Sequence, residues 1–117
     1  MKAININDRD SQFTEYILDG NKTIETREKN TLKSLVGQRV GIIKTGKSKA
    51  KLVGYVTISD VIKYETVNEF RKDESRHMVK PKSKYDIKTI KYGYILTNPE
   101  RCNPTEVTSK GIVIRNI

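Results

Sequence analysis

The chain has 117 residues, 35% hydrophobic and 32% charged, a length that suits one domain with a single core. Lys and Arg total 23 against 14 Asp and Glu, a net charge of +9, which favours a polyanionic partner unless it only reflects a lysine-rich composition. One cysteine, Cys102, and one histidine exclude an internal disulfide and a cysteine-based zinc site, and we expect no metal or other cofactor.

A strand and a helix open the predicted fold. Residues 4–6 are predicted to form a short strand, and residues 10–19 a helix that begins among N-cap residue types. Apolar residues of this helix recur at the spacing of one helix face: Phe13, Tyr16 and Ile17. Gly20 is expected just after the helix end, where glycine tolerates the left-handed conformation.

Most of the remaining chain is predicted to form short strands, because β-branched residues recur between turn residues. The predicted strands are Thr23–Glu28, Arg39–Lys44, Leu52–Val61, Lys91–Thr97 and residues 111–117. A bulge is expected at Gly54. Asn98 and Pro99 are expected to end the strand before them, because proline cannot donate to a strand ladder.

A second helix is predicted in the second half of the chain. Its start is marked by a capping box, Thr66 and Glu69. We expect the helix to bury Val67 and Phe70 and to end near Ser75. Residues 76–84 are basic and contain proline, which predicts a loop with His77 at the surface.

The element order is roughly β-α-β-β-β-α-β-β, with short strands in the majority. That order favours the α+β class and a small mixed β-barrel with two peripheral helices over a doubly wound sheet. The whole chain, residues 1–117, is predicted to form this one domain.

Residues 41–48 match the phosphate-binding pattern G-x-x-x-x-G-K-[ST]. A nucleotide-binding loop of this type needs a helix that opens at the Lys-Ser pair, whereas here strand residues precede and follow the match. We therefore predict a hairpin connection over residues 45–51. The lysines in and next to this connection either contact backbone phosphates or point into water: Lys44, Lys47, Lys49 and Lys51.

Three charged side chains lie where the first helix ends and the next strand begins. Lys22, Glu25 and Arg27 are expected to converge there and to serve one polar ligand. Arg27 suits a phosphate or a base edge, Glu25 accepts from an exocyclic amine, and Lys22 holds an anion or, if desolvated, acts as a base or nucleophile. The alternative is an exposed charge pair of Glu25 and Arg27 on one strand face.

Residues 17–27, I-L-D-G-N-K-T-I-E-T-R, resemble the signature of the ASCH domain, a branch of the PUA-like superfamily. Weaker similarities follow in the family's order, at residues 37–42, 54–56 and 92–101 and in a closing strand with Gly111. The resemblance implies a PUA-like barrel with a cleft for RNA or DNA beside the signature.

One bacterial branch of that family hydrolyses N4-acetylcytidine with a lysine, a threonine three residues later and a glutamate on the second helix. Carried over, the lysine is Lys22 and the glutamate is Glu74, or less favourably Glu69, while Glu25 replaces the threonine. We expect Glu25 to keep Lys22 protonated and so to oppose its use as a base.

Two tyrosines, Tyr92 and Tyr94, share one face of their predicted strand. They either stack on a base or pack in the core. Cys102 has no basic partner nearby in the sequence and is expected to be inert.

The favoured hypothesis is a module that binds RNA, a nucleoside or a nucleotide through Lys22, Glu25 and Arg27, with the hairpin lysines on phosphates. The alternatives are a hydrolase of N4-acetylcytidine or RNA, and an adaptor that binds protein. No leader-like apolar segment and no run of 18 apolar residues is present, so we expect a cytoplasmic protein without membrane contact. The sequence leaves the oligomeric state open.

Overall fold

A computed structural model describes residues 1–107 and 114–117, and a curled sheet with small helices accounts for most of them. In chain order the elements are β1 (Lys2–Asn7), α1 (Phe13–Leu18), β2 (Ile24–Arg27), a 3-10 helix (Lys33–Leu35), β3 (Arg39–Thr45), β4 (Lys51–Tyr64), α2 (Val67–Lys72), α3 (Glu74–His77), β5 (Lys91–Glu106) and β6 (Ile114–Asn116). The predicted α+β class is confirmed, and the second predicted helix is divided at Asp73 into α2 and α3.

The six strands form one sheet in the order β2-β5-β4-β3-β1-β6. β1 pairs with β3 in parallel, and the other neighbours are antiparallel. The sheet curls into a half-barrel, which matches the predicted small barrel. This order leaves β2 at one edge and β6, next to β1, at the other.

Two apolar clusters hold the sheet and its helices together. The larger one contains the buried side chains Ile4, Ile6, Ile17, Leu32, Leu35, Val40, Ile42, Val56, Ile58, Tyr94 and Leu96. The smaller one joins α2 and the segment after α3 to β4, through Tyr64, Phe70, Val79 and Ile87. Each fully buried aliphatic or aromatic side chain contributes about 1.5–3 kcal/mol. The second cluster therefore anchors residues 79–87, which the sequence predicted to begin in a loop.

The strand pairing of β4 is irregular at the predicted bulge. Ile42 pairs with Gly54 but Ile43 pairs with Leu52, so one extra residue of β4 is accommodated there. A side chain at position 54 would bring its Cβ into collision with the carbonyl oxygen of Glu100. Glycine is required at this point because the backbone of β5 passes too close for any other residue.

The expected end of β5 at Asn98 and Pro99 is wrong, because the strand continues to Glu106. Thr97 pairs with Thr57 and Glu100 pairs with Tyr55, and the pairing register shifts between these two pairs. Proline is tolerated here because a bulge needs no ladder hydrogen bond from it.

α1 is shorter than predicted and begins at Phe13. The buried carboxylate of Asp8 accepts hydrogen bonds from the backbone N–H and the hydroxyl of Thr14, so the first helical turn is capped from outside the helix. Gly20 follows the helix with φ of +87°, as predicted, and this left-handed residue turns the chain directly into β2.

α2 begins with the predicted cap, in which Thr66 Oγ1 accepts from the backbone N–H of Glu69 at 3.1 Å. Phe70 is fully buried as expected, but Val67 is 55% exposed, so the expectation for that residue is wrong. Only one side of this two-turn helix faces the sheet, and Val67 lies outside it. Of the last predicted strand, 111–117, residues 111–113 lie outside the described residues.

Residues 46–50 connect β3 and β4 as a hairpin, as predicted. After Ser48 the chain enters β4 rather than a helix, so the match to the phosphate-binding pattern lacks the helix N-terminus that holds phosphates. Within the described part of the chain, no helix has the length and apolar character needed to cross a membrane.

Candidate nucleic-acid interface

A cleft of about 670 Å³ lies between the two ends of the curled sheet. β2 lines one side, and β1, β6 and the end of β3 line the other. The lining residues are Asn5, Ile6, Asn7, Phe13, Glu25, Thr26, Arg27, Glu28, Lys29, Thr31, Thr45, Lys84, Tyr85, Lys91 and Arg115. Nη2 of Arg27 donates to the carbonyl oxygen of Asn5 at 2.8 Å and so joins the two sides. The cleft is the gap that a closed barrel would lack.

Lys22, Glu25 and Arg27 converge beside this cleft, and Glu25 and Arg27 line it while Lys22 lies behind them. Glu25 Oε2 lies 3.0 Å from Nη2 of Arg27, and Glu25 Oε1 lies 3.9 Å from Nζ of Lys22. The side chains of Glu25 and Arg27 are only 10% and 19% exposed. An exposed charge pair on a strand face, the alternative interpretation, does not fit this burial.

The ammonium group of Lys22 is buried beside the cleft. It donates to the carbonyl oxygen of His77 and lies 4.4 Å from the centre of the Phe13 ring. Burial lowers the pKa of Lys22 to about 8, although Glu25 opposes this shift, and Lys91 and Arg27 lower it further. Glu25 acts in the expected direction, but burial outweighs it. The neutral form of Lys22 is therefore more accessible near pH 7 than that of an exposed lysine.

His77, whose carbonyl oxygen accepts from Lys22, was expected at the surface, and that expectation is wrong. The side chain is fully buried and stacks on the Phe70 ring at 3.9 Å. Nδ1 accepts from the backbone N–H of Val79 at 2.9 Å, so Nε2 carries the proton and donates to the carbonyl oxygen of Phe70 at 2.7 Å. Burial lowers the pKa of His77 and favours this neutral form.

Two polar atoms at the cleft are buried without a hydrogen-bond partner in the described residues: Nε of Arg27 and the hydroxyl of Tyr85. The Phe13 ring packs edge-on against Tyr85 at 5.8 Å. Burial raises the pKa of Tyr85, so its hydroxyl stays protonated and can donate. Unpaired buried donors are costly, so both groups destabilise the fold as it stands.

Sequence reasoning missed Tyr85 and Lys91, which also line the cleft. Tyr85 belongs to an irregular segment that folds back over the sheet, and no periodicity marks such a contact. Lys91 is one of many lysines, and nothing in its neighbours distinguishes it. Its side chain is nevertheless only 3% exposed.

Glu74, the second-helix glutamate of the hydrolase pattern, lies elsewhere. Its Oε1 is 2.6 Å from Nη1 of Arg71, and Nη2 of the same arginine binds Asp86. Glu74 lines a second cleft of about 770 Å³, which shares Phe13, Lys84 and Tyr85 with the first. The carboxylate is therefore paired in a separate network, across that shared wall from Glu25.

Tyr92 and Tyr94 both pack against the larger apolar cluster. Tyr94 is fully buried, and its hydroxyl donates to Asn30 at 2.6 Å and accepts from the backbone N–H of Leu32 at 3.2 Å. This environment favours the core-packing alternative, because a side chain with no exposed surface cannot stack on a base without rearrangement.

The hairpin lysines lie near the cleft but do not line it. Lys44 is partly buried in β3, and Lys47 and Lys49 are exposed in the connection to β4. Thr45 and its pairing partner Asn7 do line the cleft. Lys47 and Lys49 therefore follow the cleft residue Thr45 in the chain, at the point where a ligand would extend out of the cleft.

Comparison with known proteins gives a family and a fold. The family model of the ASCH domain matches residues 11–108. No curated protein sequence matches significantly.

Solved structures of an ASCH protein from Zymomonas mobilis superpose on most of the chain. The crystal structure of that protein has a TM-score of 0.71 at 18% identity, over 91% of this chain and 73% of the other. A tyrosine-to-phenylalanine mutant of it gives 0.74 at 17% identity, over 91% and 75%. A serine-to-alanine mutant gives 0.73 at 18% identity, over 90% and 72%. At this identity the similarity establishes a common fold.

Proposed function

The chain belongs to the ASCH domain family, and from that premise we propose that it binds RNA, or a nucleoside derived from RNA, in the cleft between β1 and β2. One observation carries the proposal: the Glu25 carboxylate is held between the cations of Lys22 and Arg27 at the wall of an open polar cleft. A fixed carboxylate can accept hydrogen bonds from a base amino group, and the Arg27 guanidinium, which lines the cleft, can donate to base carbonyl or phosphate oxygens. The buried Lys22 holds Glu25 in place from behind.

The aromatic side chains at the cleft support a base as the ligand. Phe13 and Tyr85 form one wall, and a planar heterocycle in the cleft would contact the parts of these rings that line it. Such stacking contributes about 1–3 kcal/mol per base and tolerates any base. Specificity would then come from Glu25, which accepts from amino groups and repels phosphate.

The net charge of +9 supports an extended anionic ligand rather than a neutral one. Lys47 and Lys49 are exposed at the hairpin that follows Thr45, and we assign them to contacts with the phosphates of flanking nucleotides. Lys44, partly buried in β3, is the inner member of this basic path.

Replacing Arg27 with alanine should weaken binding of a short single-stranded RNA by about 1–3 kcal/mol. The guanidinium holds Glu25 in place and lines the cleft. Affinity is measured by calorimetric titration of oligonucleotides, alongside thermal unfolding of each variant.

Arg101→Ala is the matched control for the Arg27 variant, because it removes the same charge from a half-exposed ion pair with Glu15. Equal loss of affinity in both variants would show a general charge effect and count against the cleft. Unchanged affinity in Arg27→Ala would remove the basis of the proposal.

A second candidate function is hydrolysis of N4-acetylcytidine, and the lowered pKa of Lys22, about 8, favours it. A lysine that is partly neutral near pH 7 can act as a base or nucleophile. Two features oppose this function: Glu25 stands where the hydrolase branch has a threonine, and Glu74 is engaged by Arg71.

The hydrolase candidate predicts release of acetate from N4-acetylcytidine by the native protein and none by a Lys22→Met variant. The product is quantified by chromatography, with nucleoside binding measured in parallel. Turnover that survives in the variant would exclude Lys22 as the reacting group. If the native protein binds the nucleoside but does not hydrolyse it, the hydrolase candidate is excluded and the binding function remains.

A further inference from the structure

Lys91, the first residue of β5, is a buried cation that lines the cleft. The residue is only 3% exposed, yet within residues 1–107 and 114–117 its ammonium group has only the longer-range charges of Glu28, Glu25 and Asp86 around it and no hydrogen bond or ion pair. Buried lysines are rare and normally have a hydrogen-bonded partner. Lys22, which is buried beside the cleft, has such a partner in the carbonyl oxygen of His77.

The charges around Lys91 favour an anion in the cleft. Five cationic side chains line it, Arg27, Lys29, Lys84, Lys91 and Arg115, against two carboxylates, Glu25 and Glu28. Glu25 is already neutralised by the guanidinium of Arg27 at 3.0 Å. The cleft therefore retains a positive excess, and Lys91 is its most buried cation.

We propose that Lys91 binds a phosphate group of the nucleotide whose base lies beside Glu25. A phosphate offers several acceptor oxygens to an ammonium group that has three donors and no acceptor in the described residues. The site then requires a nucleotide, free or within RNA, rather than a nucleoside. This assignment rests on the proposed function and narrows its ligand class.

The competing interpretation is that Lys91 is only a counterion for nearby carboxylates. Glu28, Glu25 and Asp86 are close enough to favour its charged form, but burial outweighs them and lowers the pKa of Lys91. A counterion contributes to folding stability and makes no distinction between a nucleoside and its phosphate.

The test compares cytidine, cytidine 5′-monophosphate and cytidine 3′-monophosphate as probes of the native protein and of Lys91→Gln. We expect the native protein to bind one monophosphate about tenfold to hundredfold more tightly than cytidine. The variant should lose that preference while its affinity for cytidine is unchanged. Lys88→Gln is the matched control, because this exposed lysine lies three residues away and outside the lining of the cleft.

Each outcome of this test separates the assignment from the proposed function. Binding of cytidine and both monophosphates with equal affinity by the native protein would overturn the phosphate assignment and leave the base site standing. A preference that survives in Lys91→Gln, or disappears equally in Lys88→Gln, would also overturn it. Absence of binding to all three probes would overturn the assignment, while the titration with single-stranded RNA decides the proposed function separately.

A charge-conserving variant keeps the test decisive if Lys91→Gln does not fold. Lys91→Arg retains a cation and should keep the preference for the monophosphate within about tenfold of the native ratio. A folded Lys91→Arg protein that binds cytidine normally and has lost the preference altogether would contradict simple phosphate binding by a cation at this position.

Discussion

Between pH 8 and 10.5 the free energy of unfolding should rise by about 3 kcal/mol more in the native protein than in a Lys22→Met variant. The pKa of Lys22 is about 8 in the folded protein, against 10.5 for a lysine in the unfolded chain. In this interval the unfolded chain binds a proton that the folded protein does not, so stability increases with pH. Below pH 8 both states are protonated, and the charged, buried ammonium group is a fixed penalty.

This prediction is checked by chemical denaturation at a series of pH values, because only the difference between the two proteins isolates Lys22 from the other titrating groups. Lys63→Met serves as the control, since that lysine is 45% exposed and should leave the pH dependence of the native protein intact. A native protein and a Lys22→Met variant with parallel stability curves would mean that Lys22 titrates as an exposed lysine, and would weaken the hydrolase candidate as well.

Tyr94→Ala should lower the free energy of unfolding by about 3–5 kcal/mol, the range for removing a buried aromatic side chain. Tyr94 is fully buried in the larger apolar cluster, and its hydroxyl binds both Asn30 and Leu32. A loss of this size is comparable to the whole stability of many small domains. Denaturant unfolding of the purified variant provides the measurement.

Tyr94→Phe is the matched variant, because it keeps the ring and removes only the hydroxyl. It should cost about 1–3 kcal/mol, since the N–H of Leu32 and the side-chain oxygen of Asn30 each lose a partner. If Tyr94→Ala were as stable as the native protein but failed to bind RNA, the tyrosine would be a ligand contact, and the core-packing interpretation would be wrong.

Local chemistry was sufficient to predict most elements and their order. Alternation of apolar residues placed the strands, Gly20 placed the helix end, and the Thr66 cap placed the start of α2. The same local view explains why the phosphate-loop match at residues 41–48 could be dismissed: a β-hairpin is a short-range feature with its own turn residues.

The convergence of Lys22, Glu25 and Arg27 was also accessible from the sequence. A left-handed Gly20 turns the chain from helix to strand within a few residues, so these side chains are delivered close together by the covalent chain itself. Their burial was not accessible. It depends on Phe13, His77 and the opposite edge of the sheet, which are distant in sequence or point inward for reasons that periodicity does not encode.

Long-range packing decided the features that sequence reasoning missed or misjudged. His77 became a core residue because α3 docks on β2, and Tyr85 became a cleft wall because the second apolar cluster folds residues 79–87 back over the sheet. Burial also lowers the pKa of Lys22, which Glu25 was expected to raise, since desolvation of the ammonium group exceeds the attraction of one carboxylate. The sequence thus determined the family, the strand order along the chain and the charged signature. Only the tertiary structure decided which charges are desolvated, because desolvation depends on what the rest of the fold places over each group.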